Sequence, residues 1–241
     1  FETFTFASTS STPAQDNRVA ALWVAPSSPD SSQPPRRGCT ANNVSESFWI
    51  TALHCVPSKE ETRGFLEHED GGVAGIEAVY TISDSDDVAL LKVGPGIDAI
   101  PFELPERKLE SGEDVMLVGY AIKNRFASTA QLQVEKYLDS KFFPPFKYSG
   151  LYQTVNTTDF WTCTGDSGGA IYKGNTIYAV HSASAGNPTC SDGRRKTMWH
   201  SDLYLRVDWI TRTISNHSGS SPDERRRGEE GKSLEETTGD P

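Results

Sequence analysis

Short apolar runs recur along the chain, separated by Gly, Pro, Asp and Asn. Val19–Ala25, Phe48–Leu53, Gly75–Ile82, Val88–Val93, Val115–Tyr120, Gln131–Leu138, Ala170–Tyr172 and Thr176–Val180 are each a strand's length. Each is rich in β-branched and aromatic residues and bounded by turn formers, so each reads as a β-strand. Many short strands in regular succession mark an all-β sandwich or barrel. Pro26–Arg37 is rich in Ser, Pro and Asp and reads as a loop. The pattern changes once, over Leu205–Ile214, where Trp209, Ile210 and Ile214 share one face of a short helix.

The two ends depart from this rhythm. In residues 1–18, Phe4 and Phe6 alternate with threonines and lead into a Ser/Thr run, which reads as an arm. Beyond Asn216 the composition turns to Ser, Gly, Pro and charge, with Leu234 the only large apolar residue. Such a segment cannot bury enough apolar surface to offset the entropy of ordering, so 217–241 is expected to be a disordered charged tail. The Arg225–Arg227 triplet within it reads as a solvated charge run.

Composition narrows the function classes. The formal net charge is −10, which argues against a nucleic-acid binder needing a basic face. No apolar run reaches the roughly 20 residues of a membrane-spanning helix, so no membrane partner is expected. Four cysteines, Cys39, Cys55, Cys163 and Cys190, allow three pairings. None forms a CxxC pair, so zinc is not expected. The even count fits two disulfides and an oxidising compartment.

Three local patterns carry chemistry. Gly165-Asp166-Ser167-Gly168-Gly169 is a glycine-rich turn that presents a hydroxyl and points backbone N–H groups toward a developing oxyanion. Thr51-Ala52-Leu53-His54-Cys55 places a histidine at the end of an apolar run, held by a neighbouring cysteine, as a general base requires. Asp86-Asp87-Val88-Ala89-Leu90-Leu91 sets an acid directly before a strand, where it can accept from an imidazole. Asp87 abuts the strand and is preferred over Asp86 and Asp84.

Together TALHC, DDVALLKV and CTGDSGG, in that order, resemble the trypsin/chymotrypsin-like serine proteases. The order of His, Asp and Ser differs from that of subtilisins and α/β-hydrolases. The resemblance runs from about Val19 to Ile214. It implies an all-β fold of two six-stranded antiparallel barrels with a short C-terminal helix. Residues 19–110 would form the first barrel with His54 and Asp87, and 111–216 the second barrel with Ser167 and the helix. It implies a catalytic triad of His54, Asp87 and Ser167, an oxyanion hole from the N–H groups of Gly165 and Ser167, and an acyl-enzyme route. It also implies the disulfides Cys39–Cys55 and Cys163–Cys190.

The implied protein is a secreted, monomeric serine endopeptidase without cofactor. It would act on proteins or peptides and be open to protein inhibitors. A protease-fold binding protein and an unactivated zymogen are the rival readings. Asp166 resembles the acid that pairs with a freed α-amino group on activation, yet no Ile-Val-Gly-Gly start is present.

Specificity stays open at this level. Trp161 stands where trypsins carry an aspartate, so ordinary trypsin specificity is not implied. Gapless matching from Ser167 places His181 where glutamyl-specific members carry a substrate-binding histidine. Thr162, Thr164, Ser182 and Ser184 fall at other pocket positions. A histidine among hydroxyls can hold a carboxylate, which points to cleavage after Glu or Asp. Asp202 competes, since an acid at the back of the pocket suits Lys or Arg, and an apolar or broad pocket is the third alternative. His68, His200 and His217 have no partner pattern and read as surface residues. Asn43, Asn156 and Asn216 head Asn-x-Ser/Thr sequons.

Overall fold

The computed structural model describes residues 16–26, 33–56, 62–120, 127–157, 166–185 and 196–219. Twelve strands form two closed antiparallel barrels of six each. The first comprises β1 (Val19–Val24), β2 (Arg36–Ser45), β3 (Phe48–Thr51), β4 (Gly64–Glu67), β5 (Val73–Thr81) and β6 (Ala89–Val93), in spatial order β1-β2-β3-β6-β5-β4. The second comprises β7 (Asp114–Gly119), β8 (Ser128–Phe143), β9 (Phe146–Asn156), β10 (Ala170–Lys173), β11 (Thr176–Ser184) and β12 (Thr197–Asp202), in order β10-β11-β12-β9-β8-β7. The fold class expected from the sequence is the one observed.

Each barrel is held by its own apolar filling. Leu22, Trp49, Leu66 and Leu91 lie in one cluster, and Leu117, Leu132, Tyr152, Ile171 and Met198 in the other. Alternation along a strand sends successive side chains to opposite faces. Ala21, Ile50 and Leu90, on the face away from the first barrel's filling, are buried too. This explains why these strands read as unbroken apolar runs rather than as alternation.

Four strands have no counterpart among the apolar runs: β2, β4, β9 and β12. In β2 the buried positions include Thr40, Asn42 and Asn43, and polar side chains conceal the strand from a hydrophobicity reading. β2 also begins at Arg36, inside the stretch expected to be loop. The Phe143–Phe146 segment, Phe-Pro-Pro-Phe, forms the end of a long β8–β9 hairpin. The expected arm strand at Phe4 and Phe6, and the tail from 220 onward, lie outside the described residues.

After β12 comes a single 3₁₀ turn, Tyr204–Arg206, and then the helix α1, Val207–His217. Within α1 Ile210 is buried while Trp209 and Ile214 are half-buried, in keeping with the one-faced pattern. Among the described residues no helix is long and apolar enough to cross a membrane.

Two of the sequon asparagines are buried. Asn43 is fully buried and its Nδ2 donates to the carbonyls of Glu46 and Phe48 at 3.0 and 3.2 Å. Asn156 is buried as well, and its Oδ1 accepts from the Lys196 N–H. Neither amide can take a glycan in this fold.

Candidate active site

Strand pairing explains how residues far apart in sequence meet. β3 and β6 are neighbours, with Thr51 opposite Ala89. His54 follows β3 in the 3₁₀ turn Leu53–Cys55, and Asp87 precedes β6. Both therefore emerge at the same end of one strand pair. A disulfide joins Cys39 on β2 to Cys55, tying the turn that carries His54 to the barrel wall.

Asp87 is fully buried. Its Oδ1 accepts the His54 backbone N–H at 2.9 Å, and its Oδ2 accepts from His54 Nδ1 at 2.9 Å. The two contacts fix both the position of the turn and the rotation of the ring, leaving Nε2 as the other ring nitrogen. The His54 side chain is 31% exposed. Burial disfavours its charged form, but the hydrogen bond and the charge of Asp87 outweigh that and raise its pKa. The sulfurs of Cys39 and Cys55 also lie close to the ring. They are joined as a disulfide, so they offer no thiolate to a metal.

The turn bearing Ser167 precedes β10 and is docked on the first barrel. The Ser167 carbonyl accepts from the Thr40 N–H at 2.9 Å, and the Gly168 carbonyl accepts from Asn42 Nδ2 at 2.6 Å. Thr40 adjoins Cys39, whose disulfide partner adjoins His54, so the serine turn rests on the wall that supports the histidine. Gly168 has φ +80°, and a Cβ there would lie 2.2 Å from Thr51 Oγ1 and 2.4 Å from the Thr40 carbonyl oxygen. Only glycine permits both this backbone and this approach. The Gly168 N–H donates to the His181 carbonyl, so the turn is also held by β11 of its own barrel. Asp166 is buried beside Gly119. Phe1, Gly165, Trp161, Thr162, Thr164, Cys163 and Cys190 lie outside the described residues.

His181, Ser182 and Ser184 stand on β11 and Asp202 on β12. β11 and β12 pair with His181 directly opposite His200. His181 Nδ1 lies 3.0 Å from His200 Nδ1, and His200 Nε2 lies 2.6 Å from Thr154 Oγ1 on β9. At the other end, Ser184 Oγ is 3.1 Å from His181 Nε2. A chain of four polar side chains thus runs from Ser184 into the second barrel. Burial pushes the His181 pKa down to about 3 and that of His200 well below the usual imidazole range. Both rings are therefore neutral at pH 7. Ser182 Oγ meets Ser201 Oγ at 2.7 Å.

Two histidines expected at the surface are not there. His200 is fully buried in the chain just described. His68 is buried with its Nε2 3.2 Å from the Asn17 carbonyl oxygen and its Nδ1 3.1 Å from Asp70. His68 lies in the polar stretch Glu67–Asp70, which hides its burial. Only the register of β11 against β12 reveals the His181–His200 pair.

Asp202 is fully buried and its oxygens accept from the Tyr137 hydroxyl at 3.1 Å and the Tyr204 N–H at 2.9 Å. Burial raises its pKa against the pull of those donors. Asp86, the acid adjoining Asp87, faces Arg206 instead of His54, with 2.9 Å between Asp86 Oδ1 and Arg206 Nη2.

Residues 12–210 match the family model described as trypsin. No curated protein sequence matches the chain. Among solved structures, the active form of Rv3671c protease from M. tuberculosis is similar with a TM-score of 0.61 at 18% identity, over 86% of this chain and 84% of that one. Neuropsin, a serine protease expressed in the limbic system of mouse brain, has a TM-score of 0.61 at 16% identity, over 84% and 96%. The atomic-resolution structure of HBP has a TM-score of 0.63 at 16% identity, over 88% and 96%. At these identities the likeness to solved structures is one of fold, whereas the family match spans both barrels: the chain belongs to the trypsin family.

Proposed function

We propose that the protein is a serine endopeptidase in which His54, Asp87 and Ser167 act as the catalytic triad. The observation that carries this reading is the double hold of buried Asp87 on His54, at its ring and at its backbone, beside a serine turn docked on the same wall. Ser167 attacks the scissile carbonyl as His54 Nε2 takes its proton, giving a tetrahedral intermediate. Its oxyanion is held by the N–H groups of Ser167 and Gly165. The intermediate collapses as His54 returns the proton to the leaving amine, and water then hydrolyses the acyl-enzyme by the same route in reverse. Asp87 keeps the Nδ1–H tautomer and stabilises the imidazolium. Secretion is part of the proposal and is supported by the Cys39–Cys55 disulfide.

Cleavage after Glu or Asp is the specificity proposed here, and the hydrogen-bonded chain that holds His181 supports it. If Thr154 donates to His200 Nε2, then His200 donates from Nδ1 to His181 Nδ1, and His181 presents Nε2–H beside Ser184. His181 Nε2–H then donates to Ser184 Oγ, and the chain ends in the Ser184 hydroxyl as a donor suited to a carboxylate. Asp202 is engaged by Tyr137 and Tyr204 and buried, which speaks against a cationic side chain at that position.

The test is a cleavage map. Wild type, Ser167→Ala and His181→Gln are incubated with a mixed peptide library, and new termini are read by mass spectrometry. Wild type is expected to cut after Glu or Asp, Ser167→Ala not at all, and His181→Gln with the acidic preference lost. Cuts after Lys or Arg would refute the pocket reading but keep the triad. Cutting by Ser167→Ala, or by neither form, would refute the triad reading.

A further inference from the structure

Arg206 is almost fully buried in the 3₁₀ turn that leaves β12. A guanidinium in such a place must spend its five N–H donors inside the protein. Four hydrogen bonds and one further ion-pair contact engage it. Nε and Nη2 reach Asp86 Oδ1 at 3.0 and 2.9 Å. Nη2 also donates to the Ser149 carbonyl at 2.7 Å, and Nη1 to the carbonyls of Asp202 at 2.7 Å and Gly150 at 3.3 Å. Three of the acceptors lie on β9 and β12 of the second barrel. The fourth, Asp86, lies in the segment leading to β6 of the first.

The segment that carries Asp87 is pinned from several sides. Asp86 Oδ2 accepts from Ser83 Oγ at 2.6 Å, and the Val88 N–H donates to the Asp86 carbonyl at 2.8 Å. The Ser149 N–H of β9 donates to the Ser85 carbonyl at 2.8 Å. Asp86 and Asp87 thus face opposite ways from adjacent positions, one held by Arg206 and the other holding His54. Any rotation of the backbone between them would move Asp87 against the ring.

We propose that Arg206 is a positioning residue for His54, acting through Asp86 to fix the orientation of the Asp87 carboxylate. The proposal rests on the triad reading above. It assigns the second barrel a part in aligning the histidine and acid of the first, so that the pair is set only when the barrels are docked. The charged and titratable groups around this device are Asp86 on the acid segment, Asp202 on β12 and Tyr137 on β8. Those facing the His54–Asp87 pair are His181 on β11 and Tyr148 on β9.

The experiment compares wild type, Arg206→Lys, Asp86→Asn, the double variant and Ser83→Ala. Thermal melts show which fold, and Asp86→Asn and Ser83→Ala keep the test open should the buried lysine prevent folding. Two readouts are taken: kcat and KM on a peptide substrate, and the titration of the His54 ring by NMR, which needs no turnover. Arg206→Lys and Asp86→Asn are expected to lower kcat about 10- to 100-fold, as small misplacements of a catalytic group do, with KM within about twofold. Their His54 titration midpoint is expected to fall as the Asp87 hold loosens. The double variant should be no worse than the poorer single, because both act through one contact, and Ser83→Ala should shift both readouts the same way by less. An unchanged His54 titration, or losses in the double variant equal to the product of the singles, would overturn the proposal. A wild type that neither cuts nor labels at Ser167 would refute the triad reading, and the His54 titration would still decide whether Arg206 positions the ring.

Discussion

Replacing Gly168 with alanine tests whether the serine turn is seated by direct contact with the first barrel. The residue has φ +80°, and an L side chain in that region costs about 1–2 kcal/mol. The added Cβ would also meet Thr51 Oγ1 at 2.2 Å, the Thr40 carbonyl oxygen at 2.4 Å and the Ala52 nitrogen at 3.1 Å. Thr51 cannot simply swing aside, because its hydroxyl donates to the Thr40 carbonyl at 2.7 Å. Overpacking of this kind costs a further ~1–3 kcal/mol. The sum, about 2–5 kcal/mol, corresponds to a fall in Tm of roughly 4–20 °C for a chain of this size. Gly112→Ala is the matched control, with φ +90° and nothing within 4 Å of its Cβ. It should show the conformational cost of about 1–2 kcal/mol alone. Calorimetry gives both shifts, and the rate at which a fluorophosphonate labels Ser167 gives the displacement of the nucleophile, expected to be about 100-fold slower for a shift near 1 Å. Equal Tm losses in the two variants, or wild-type labelling by Gly168→Ala, would refute the reasoning.

Three more outcomes are expected. Opening the Cys39–Cys55 bridge, whose partners are 16 residues apart, by a Cys39→Ala/Cys55→Ala variant should cost about 3 kcal/mol in a denaturant melt. It should also reduce kcat, since the bridge holds the turn of His54. The acid limb of kcat/KM should lie above the usual imidazole value of about 6.5, because His54 must be neutral to accept a proton and Asp87 raises its pKa. The same shift makes the His54–Asp87 contribution to stability full below about pH 6.5 and lost as pH rises through the folded pKa. His181 behaves in the opposite sense. Its pKa of about 3 in the fold means that the unfolded chain binds the proton first, so stability drains away as pH falls from about 6.5 toward 3. Melts across that range should show His181→Gln losing less than wild type.

The sequence made the barrels and the ends of β3 and β6 legible because glycine, proline and β-branched runs act locally. His54, Asp87 and Ser167 stand out for a related reason: each sits where a strand or a glycine turn is broken by one reactive side chain. What stayed hidden depends on register. Asp87 could be preferred over Asp86 because it abuts the strand, but the Arg206 partner of Asp86 lies 120 residues away and comes to it only through the fold. His200 resembles any polar residue of an exposed strand until β12 is laid against β11, opposite His181. Arg206 reads as one cation among many until its carbonyl partners on β9 and β12 surround it. Thr40 and Asn42, which seat the serine turn, conceal β2 from a hydrophobicity reading for the very reason that they are useful there.

A division of labour between the two kinds of contact follows. Apolar burial is non-directional, and it fixes each barrel through its own cluster. Several contacts that join one barrel to the other are polar and directional: the Thr40 N–H and Asn42 amide on the serine turn, the Ser149 N–H on Ser85, and Arg206 on Asp86. A buried polar group left without its partner loses about 1–3 kcal/mol, so a small slide between the barrels is opposed by several such losses at once. Nonpolar contact alone would tolerate that slide, since Leu against Leu is nearly as favourable after it. The proposed nucleophile, Ser167, and the proposed base, His54, come from different barrels, so the junction is where directional bonds would have the most effect on reaction geometry. Substitutions at the junction should therefore change rate more than melting temperature, and substitutions in either apolar cluster the reverse.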